Sequence, residues 1–174
     1  MELELIQCPD HVWTVVHVRT RCEKQVAEFA RRFGIMHYLP LRRRVKRYQR
    51  RNVETQLPMF RGYLFVRVTD ADRDTLLQSL RIVRFFPMTA EREERLLSDL
   101  REVRALELAS TTANVVVNPE LAPGQPVLIS SGPFRGIRGI IMRRKDATRI
   151  TVNVEMLGQS VSAEVDVGEL EREE

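Results

Sequence analysis

The apolar residues of the first 109 positions switch repeatedly between a period of two and a period near 3.6, and this alternation restricts the fold more than any other feature. Val12–Val18 reads VWTVVHV, β-branched and aromatic. Alternation sets Trp13, Val15 and His17 on one side and Val12, Val16 and Val18 on the other, which predicts a strand buried on at least one face. Cys22, Val26, Phe29, Ala30 and Phe33 then fall on one side of a helix. Thr20 and Glu23 have the spacing to cap it, and Gly34 to stop it. An extended stretch over 36–48 and a strand over Phe60–Val68 come next. A short helix capped by Asp70 or Asp72 points Leu76, Leu77 and Leu80 inward, and Ile82–Pro87 forms a further strand. Thr89 caps a long helix whose first turns are acidic and whose buried stripe is Leu96, Leu100 and Val103. The order β-α-β-β-α-β-α opens with the split βαβ pattern, so the fold class is α+β, a ferredoxin-like α/β sandwich over 10–108. Such a sheet carries helices on one face, and its other face needs a partner.

Beyond Ser110 the character changes. Residues 110–124 hold two prolines and no helical period, and 109–122 read as a linker with a short extended piece at Val115–Val117. From 123 to 172 the chain is a series of short β-rich runs, PVLIS, RGIIMRR, RITVNVEML and VSAEVDV, split by turns. Some 50 residues of this kind suit a small closed barrel with little open edge.

Charge follows the same division. Residues 1–121 carry 21 Lys/Arg against 16 Asp/Glu, and residues 122–174 carry 7 against 8. Seven of the cations sit within ten residues, Arg42, Arg43, Arg44, Lys46, Arg47, Arg50 and Arg51, with Tyr48 among them. Two readings stand for this tract: a solvated hairpin tip, or an element that offers cations to phosphate oxygens and stacks Tyr48 or a guanidinium on an unpaired base. No paired acid and base accompanies a nucleophile, and no phosphate loop is present, so no enzymatic activity and no cofactor are expected. Cys8 and Cys22 lack the spacing of a metal or redox pair and are expected as free thiols. His11, His17 and His37 have no ligand cluster around them. No run approaches the roughly 20 apolar residues of a membrane span, and the N-terminal stretch has no basic region followed by an apolar core, so a cytoplasmic location is expected.

Two motifs resemble known families. PGQPVLISSGPFRGIRGII closely resembles the KOW motif of NusG-type transcription factors and some ribosomal proteins, and ITVNVEMLGQSVSAEVDVGELE fits the rest of that SH3-like barrel. WTVVHVRTRCEKQVAEFARRFGI resembles the opening of the NusG N-terminal domain, and PMFRGYLFVRV resembles its hallmark strand. That strand usually reads Phe-Pro-Gly-Tyr; here Arg61 stands where the proline is usual. The resemblance spans about residues 11–172.

The resemblance implies a transcription elongation or antitermination factor acting by binding alone. Its N-terminal domain would dock on the clamp helices of the RNA polymerase β′ subunit, bridge the DNA channel and raise processivity. The site residues it implies are Trp13, His17, Phe60, Tyr63 and Phe65 as an aromatic patch, with Thr75 as a contact to the opposite jaw, beside Asp74 and Ser79. The bland alternative is that these aromatics are ordinary core facing the helices. By resemblance, the basic tract would lie beside upstream or non-template DNA. Phe134, Ile137, Met156 and Leu157 would form the tip by which the KOW domain holds a small-subunit ribosomal protein or Rho, unless they are barrel core. The dense basic tract and the altered Phe-Pro-Gly resemble RfaH-type, operon-specific members. The β-branched, alternating runs at 150–156 and 161–167 favour the barrel over a helical hairpin as the resting form. A monomer is expected. The rival reading is a ribosome-associated RNA-binding protein.

Overall fold

The computed structural model describes residues 3–48, 51–109, 115–118, 126–129, 133–144, 147–164 and 170–172. The chain divides into two compact units, residues 1–41 with 58–97, and residues 42–57 with 98–174.

The first unit is built on a four-stranded antiparallel sheet in the order β2-β5-β1-β6, with β1 Val12–Val18, β2 Met36–Tyr38, β5 Tyr63–Val68 and β6 Ile82–Phe85. Helix α1, Glu23–Arg32, links β1 to β2, and α2, Asp70–Leu77, links β5 to β6. This is the split βαβ arrangement that the alternation predicts. Val16 and Val18 of β1 and Leu64, Val66 and Val68 of β5 share one face. They pack in one cluster with Val26, Ala27 and Ala30 of α1 and Leu76 of α2. Burying each of the valines and leucines contributes roughly 1.5–3 kcal/mol, which fixes the helices to this face.

The opposite face is covered as well. Trp13, Val15 and Phe65 are fully buried, and Met36 and Tyr38, their neighbours across β2, are also buried. Strand β6 ends at Phe85, beyond which the N–H of Trp13 has no strand partner. The carboxylate of Glu93 takes that N–H at 2.7 Å, which brings the first turns of α3, Ala90–Ala109, against β1. Arg67 donates to the sulfur of Cys8 at 3.4 Å and pairs with Glu4, so the N-terminal segment also lies along this face.

Several local expectations are corrected. Helix α1 begins after Cys22 with no side-chain cap, because Glu23 is drawn inward to the N–H of Gly62 instead of closing a box with Thr20. Thr69, not Asp70 or Asp72, caps α2. Its hydroxyl accepts from the Asp72 N–H while the Asp72 carboxylate accepts from the Thr69 N–H, which forms a capping box one residue earlier. Leu77 and Leu80 are exposed; α2 stops at Leu77, and Leu80 takes a φ of 56° at its end. Thr89 holds the start of α3 as expected, its oxygen accepting from the Arg92 N–H at 3.3 Å.

The hallmark strand starts three residues late. Phe60 precedes it, at the head of a turn in which the Tyr63 N–H donates to the Phe60 carbonyl at 3.2 Å. Gly62 has φ +82°, and Arg61 is not among the positive-φ residues, which together make a type II turn. Three hydrogen bonds pin it: Tyr63 to Phe60, the Gly62 N–H to Glu23 at 2.7 Å, and the Val18 N–H to the Gly62 carbonyl at 2.8 Å.

In the second unit, β3 Leu41–Tyr48 and β4 Arg51–Pro58 form a two-stranded ribbon. A six-stranded antiparallel sheet runs β12-β8-β9-β10-β11-β7, from β7 Val115–Asn118 through β8 Pro126–Ile129, β9 Arg138–Arg144, β10 Ala147–Val154 and β11 Gln159–Glu164 to β12 Leu170–Arg172. The turn before β9 repeats the earlier one. The Ile137 N–H donates to Phe134 at 3.1 Å, and Gly136 has φ +85°.

Two substitutions test the first turn. Gly62→Ala places a Cβ 3.5 Å from the His17 ring, an ordinary contact, so its cost is conformational: about 1–2 kcal/mol lost in urea unfolding. Arg61→Pro fits the second position of a type II turn and is expected to add about 0.4–1 kcal/mol in the same measurement.

Candidate functional site

The structure divides the aromatic candidates by depth. Trp13, Phe60 and Phe65 are 0–1% exposed, so the expectation that they form part of an exposed patch is corrected. The physical reason is the covering of the second sheet face. Phe65 packs its ring 5.9 Å from Phe60, edge to face, and 6.3 Å from Tyr38.

His17 and Tyr63 behave differently. They sit directly opposite each other across β1 and β5, with rings stacked 5.2 Å apart, and both are half-buried. Tyr63 also meets Phe86, rings 6.1 Å apart at 60°. The Arg84 guanidinium lies 4.5 Å from the centroid of Phe86. Arg84 in turn stands opposite His17 across β1 and β6. The cluster therefore crosses three strands at one end of the sheet: Tyr63 on β5, His17 on β1, Arg84 and Phe86 on or just after β6. Phe86 stays in place because its N–H donates to the Val15 carbonyl at 2.9 Å, and its carbonyl accepts from the Thr14 hydroxyl at 2.9 Å. Sequence reasoning read IVRFFP only as a strand and missed both Arg84 and Phe86. The signal was the RFF triplet, which alternation alone cannot assign to a face once the strand ends.

Thr75 is half-buried on α2, in the layer across the sheet from this cluster, and its hydroxyl donates to the Ala71 carbonyl at 3.0 Å. Ser79 is buried, whereas Asp74 is exposed.

The basic tract follows the β3–β4 ribbon. Arg43 is exposed and forms a forked ion pair with Glu54 of β4, one branch at 2.7 Å; Arg44 is exposed and Arg42 half-buried. Lys46, Arg47 and Tyr48 lie on β3 and Arg51 begins β4, while Arg50 lies outside the described residues.

In the C-terminal sheet the four candidate tip residues separate too. Phe134 and Ile137 are 2% exposed, which corrects their assignment to an exposed tip: the type II turn folds both inward. Met156 and Leu157 are half-buried on the short 3-10 turn Glu155–Leu157. Ser130 and Gly132 lie outside the described residues. Among the described residues no group of His, Cys, Asp and Glu is placed to hold a metal ion, and no helix is long and apolar enough to cross a membrane. Cys8 and Cys22 are free.

The family model described as transcription termination factor NusG matches residues 11–106, which span the whole of the four-stranded sheet and its cluster. The chain belongs to the NusG family of transcription factors. The solved structure described as "Domain interaction in Thermotoga maritima NusG" is 19% identical and covers 94% of this chain and 98% of that one, with a TM-score of 0.51; it shares the fold. The MjSpt4:Spt5 complex in conformation A is 19% identical over 92% of this chain and 97% of that one, with a TM-score of 0.29. No curated protein matches the chain. The family match includes the type II turn at Phe60–Tyr63, whose second position suits proline. Arg61 there keeps the turn and exchanges backbone stiffness for an exposed cation.

The division by depth has a direct test. Phe65→Ala is expected to lose about 3–5 kcal/mol in denaturant unfolding. Tyr63→Ala, half-buried, is expected to lose only about 1 kcal/mol.

Proposed function

We propose that the chain is a transcription elongation and antitermination factor that docks on the β′ clamp helices of RNA polymerase through the His17–Tyr63–Phe86 cluster. The observation that carries this reading is that cluster: three ring systems half-buried together at one end of a sheet that the family match spans. Half-buried aromatics supply contact area at low entropic cost, because packing already holds their rotamers. Docking on a closed clamp and on the opposite jaw, with Thr75 on that side, favours the closed state by the difference in affinity between closed and open forms. Reduced pausing and higher processivity follow from that difference, with no covalent step and no cofactor.

The proposal extends to the other elements. The β3–β4 ribbon, with Arg42, Arg43, Arg44, Lys46, Arg47, Tyr48, Arg50 and Arg51, lies along upstream or non-template DNA and supplies affinity without reading sequence. Residues 123–172, with β7 Val115–Asn118 added to their sheet, form a KOW barrel that follows the N-terminal domain at 10–108. Met156 and Leu157 give it an accessible contact for a ribosomal protein or Rho. The chain acts as a monomer of the operon-specific, RfaH-like kind, which the dense basic tract supports.

The full chain is expected to retain RNA polymerase in a pull-down and to lose it in the double substitution His17→Ala/Tyr63→Ala, with circular dichroism unchanged. A folded double variant that still binds, or a wild-type chain that binds ribosomes and not polymerase, overturns the docking reading.

A further inference from the structure

We infer that the polymerase element received by the His17–Tyr63–Phe86 cluster is acidic, and that Arg19, Arg61 and Arg84 form a cationic rim that captures its carboxylates. The inference rests on the docking reading above and adds the chemistry of the partner.

The three arginines come from three different places in the chain: Arg84 lies within the cluster, and the backbone sets Arg19 and Arg61 beside it. Arg84 stands opposite His17 and covers Phe86. Arg61 is the second residue of the type II turn that delivers Tyr63. Arg19 follows Val18, whose N–H is bonded to the Gly62 carbonyl of the same turn, and its own N–H donates to the Arg81 carbonyl at 2.8 Å. All three are exposed. Among the described residues none of them pairs with a carboxylate, whereas Arg31, Arg43, Arg67, Arg95 and Arg104 each pair with a glutamate of the chain. Glu23 reaches this turn, but it is buried and its carboxylate is taken by the Gly62 N–H.

Two further observations favour carboxylates. Arg61 is exposed at a turn position where proline is common but not required, so the turn itself does not account for the cation. Each ring has one face engaged, His17 and Tyr63 on each other and Phe86 under Arg84, and all three rings are half-buried. An unpaired base needs a free face to stack on. A protein segment needs only ring edges for its apolar residues and a guanidinium fork for its carboxylates, and the cluster offers both. Rim charges of this kind act chiefly on the association rate.

The test uses the full chain and core RNA polymerase free of nucleic acid, with association and dissociation rates measured at about 50 and 400 mM salt, one on either side of the physiological ionic strength. The triple substitution Arg19→Gln/Arg61→Gln/Arg84→Gln is expected to lower the low-salt association rate by about tenfold or more. The corresponding lysine triple should keep most of that rate, and the difference should vanish at high salt. Equal rates for wild type and the glutamine triple, with Tyr63→Ala still abolishing binding, overturn the acidic partner and leave docking intact. If Tyr63→Ala binds as wild type, the docking reading itself fails. A defect that appears only with elongation complexes carrying DNA assigns the arginines to phosphate and overturns the proposal. Circular dichroism of each variant guards against misfolding.

Discussion

The turn at Phe60–Tyr63 is the constraint on which the first unit depends. A single glycine at φ +82° reverses the chain, and its two backbone polar groups are both spent, one on Glu23 of α1 and one on Val18 of β1. The turn therefore sets three things together. It fixes the register of β5 on β1, in which Tyr63 faces His17. It fixes where α1 begins, because Glu23 leaves the cap to reach it. It also buries Phe60 beneath the sheet while presenting Arg61 to solvent. The same Phe-Arg-Gly unit recurs at 134–136, with its phenylalanine again buried and its arginine again exposed. Both copies solve one problem, entry into a strand from a reversed chain with an aromatic anchor.

Once both faces of the four-stranded sheet are covered, little of it remains accessible. The face toward α1 and α2 is an aliphatic core, and the face bearing Trp13 and Phe65 is closed in part by α3 through Glu93. What is left is the end where β6 begins, opposite Val18, and the chain turns at Gly62. The half-buried rings and the arginines stand there. A docking surface located in this way is small, so its affinity depends on a few anchors and on the charge around them rather than on area.

Much of this was legible in the chain itself. The strand at 12–18, the helix stripe through Val26 and Ala30, and the long helix from Thr89 all follow from periodicity, and the structure places each there. The misreadings have physical causes. Alternation assigns Trp13, His17, Tyr63 and Phe65 to one face, but only the packing of other elements on that face decides that Phe65 is core and Tyr63 is not. Leu77 and Leu80 look inward by helical spacing, yet α2 ends before the second could turn with it. Strand β4 is polar enough that period two says little, and pairing with β3 makes it a strand.

The sequence by itself determined the order of the elements in the first unit, the glycine-dependent turns, the family and the concentration of cations at 42–51. These are properties of short windows, where backbone sterics and apolar period act directly. Tertiary structure alone decided which aromatics are reachable, which glutamates are drawn inward as backbone acceptors, and that Arg84 and Phe86 join His17 and Tyr63. Those outcomes depend on residues tens of positions apart sharing one sheet end, and the pattern that predicts the split βαβ order does not say which side chains meet there.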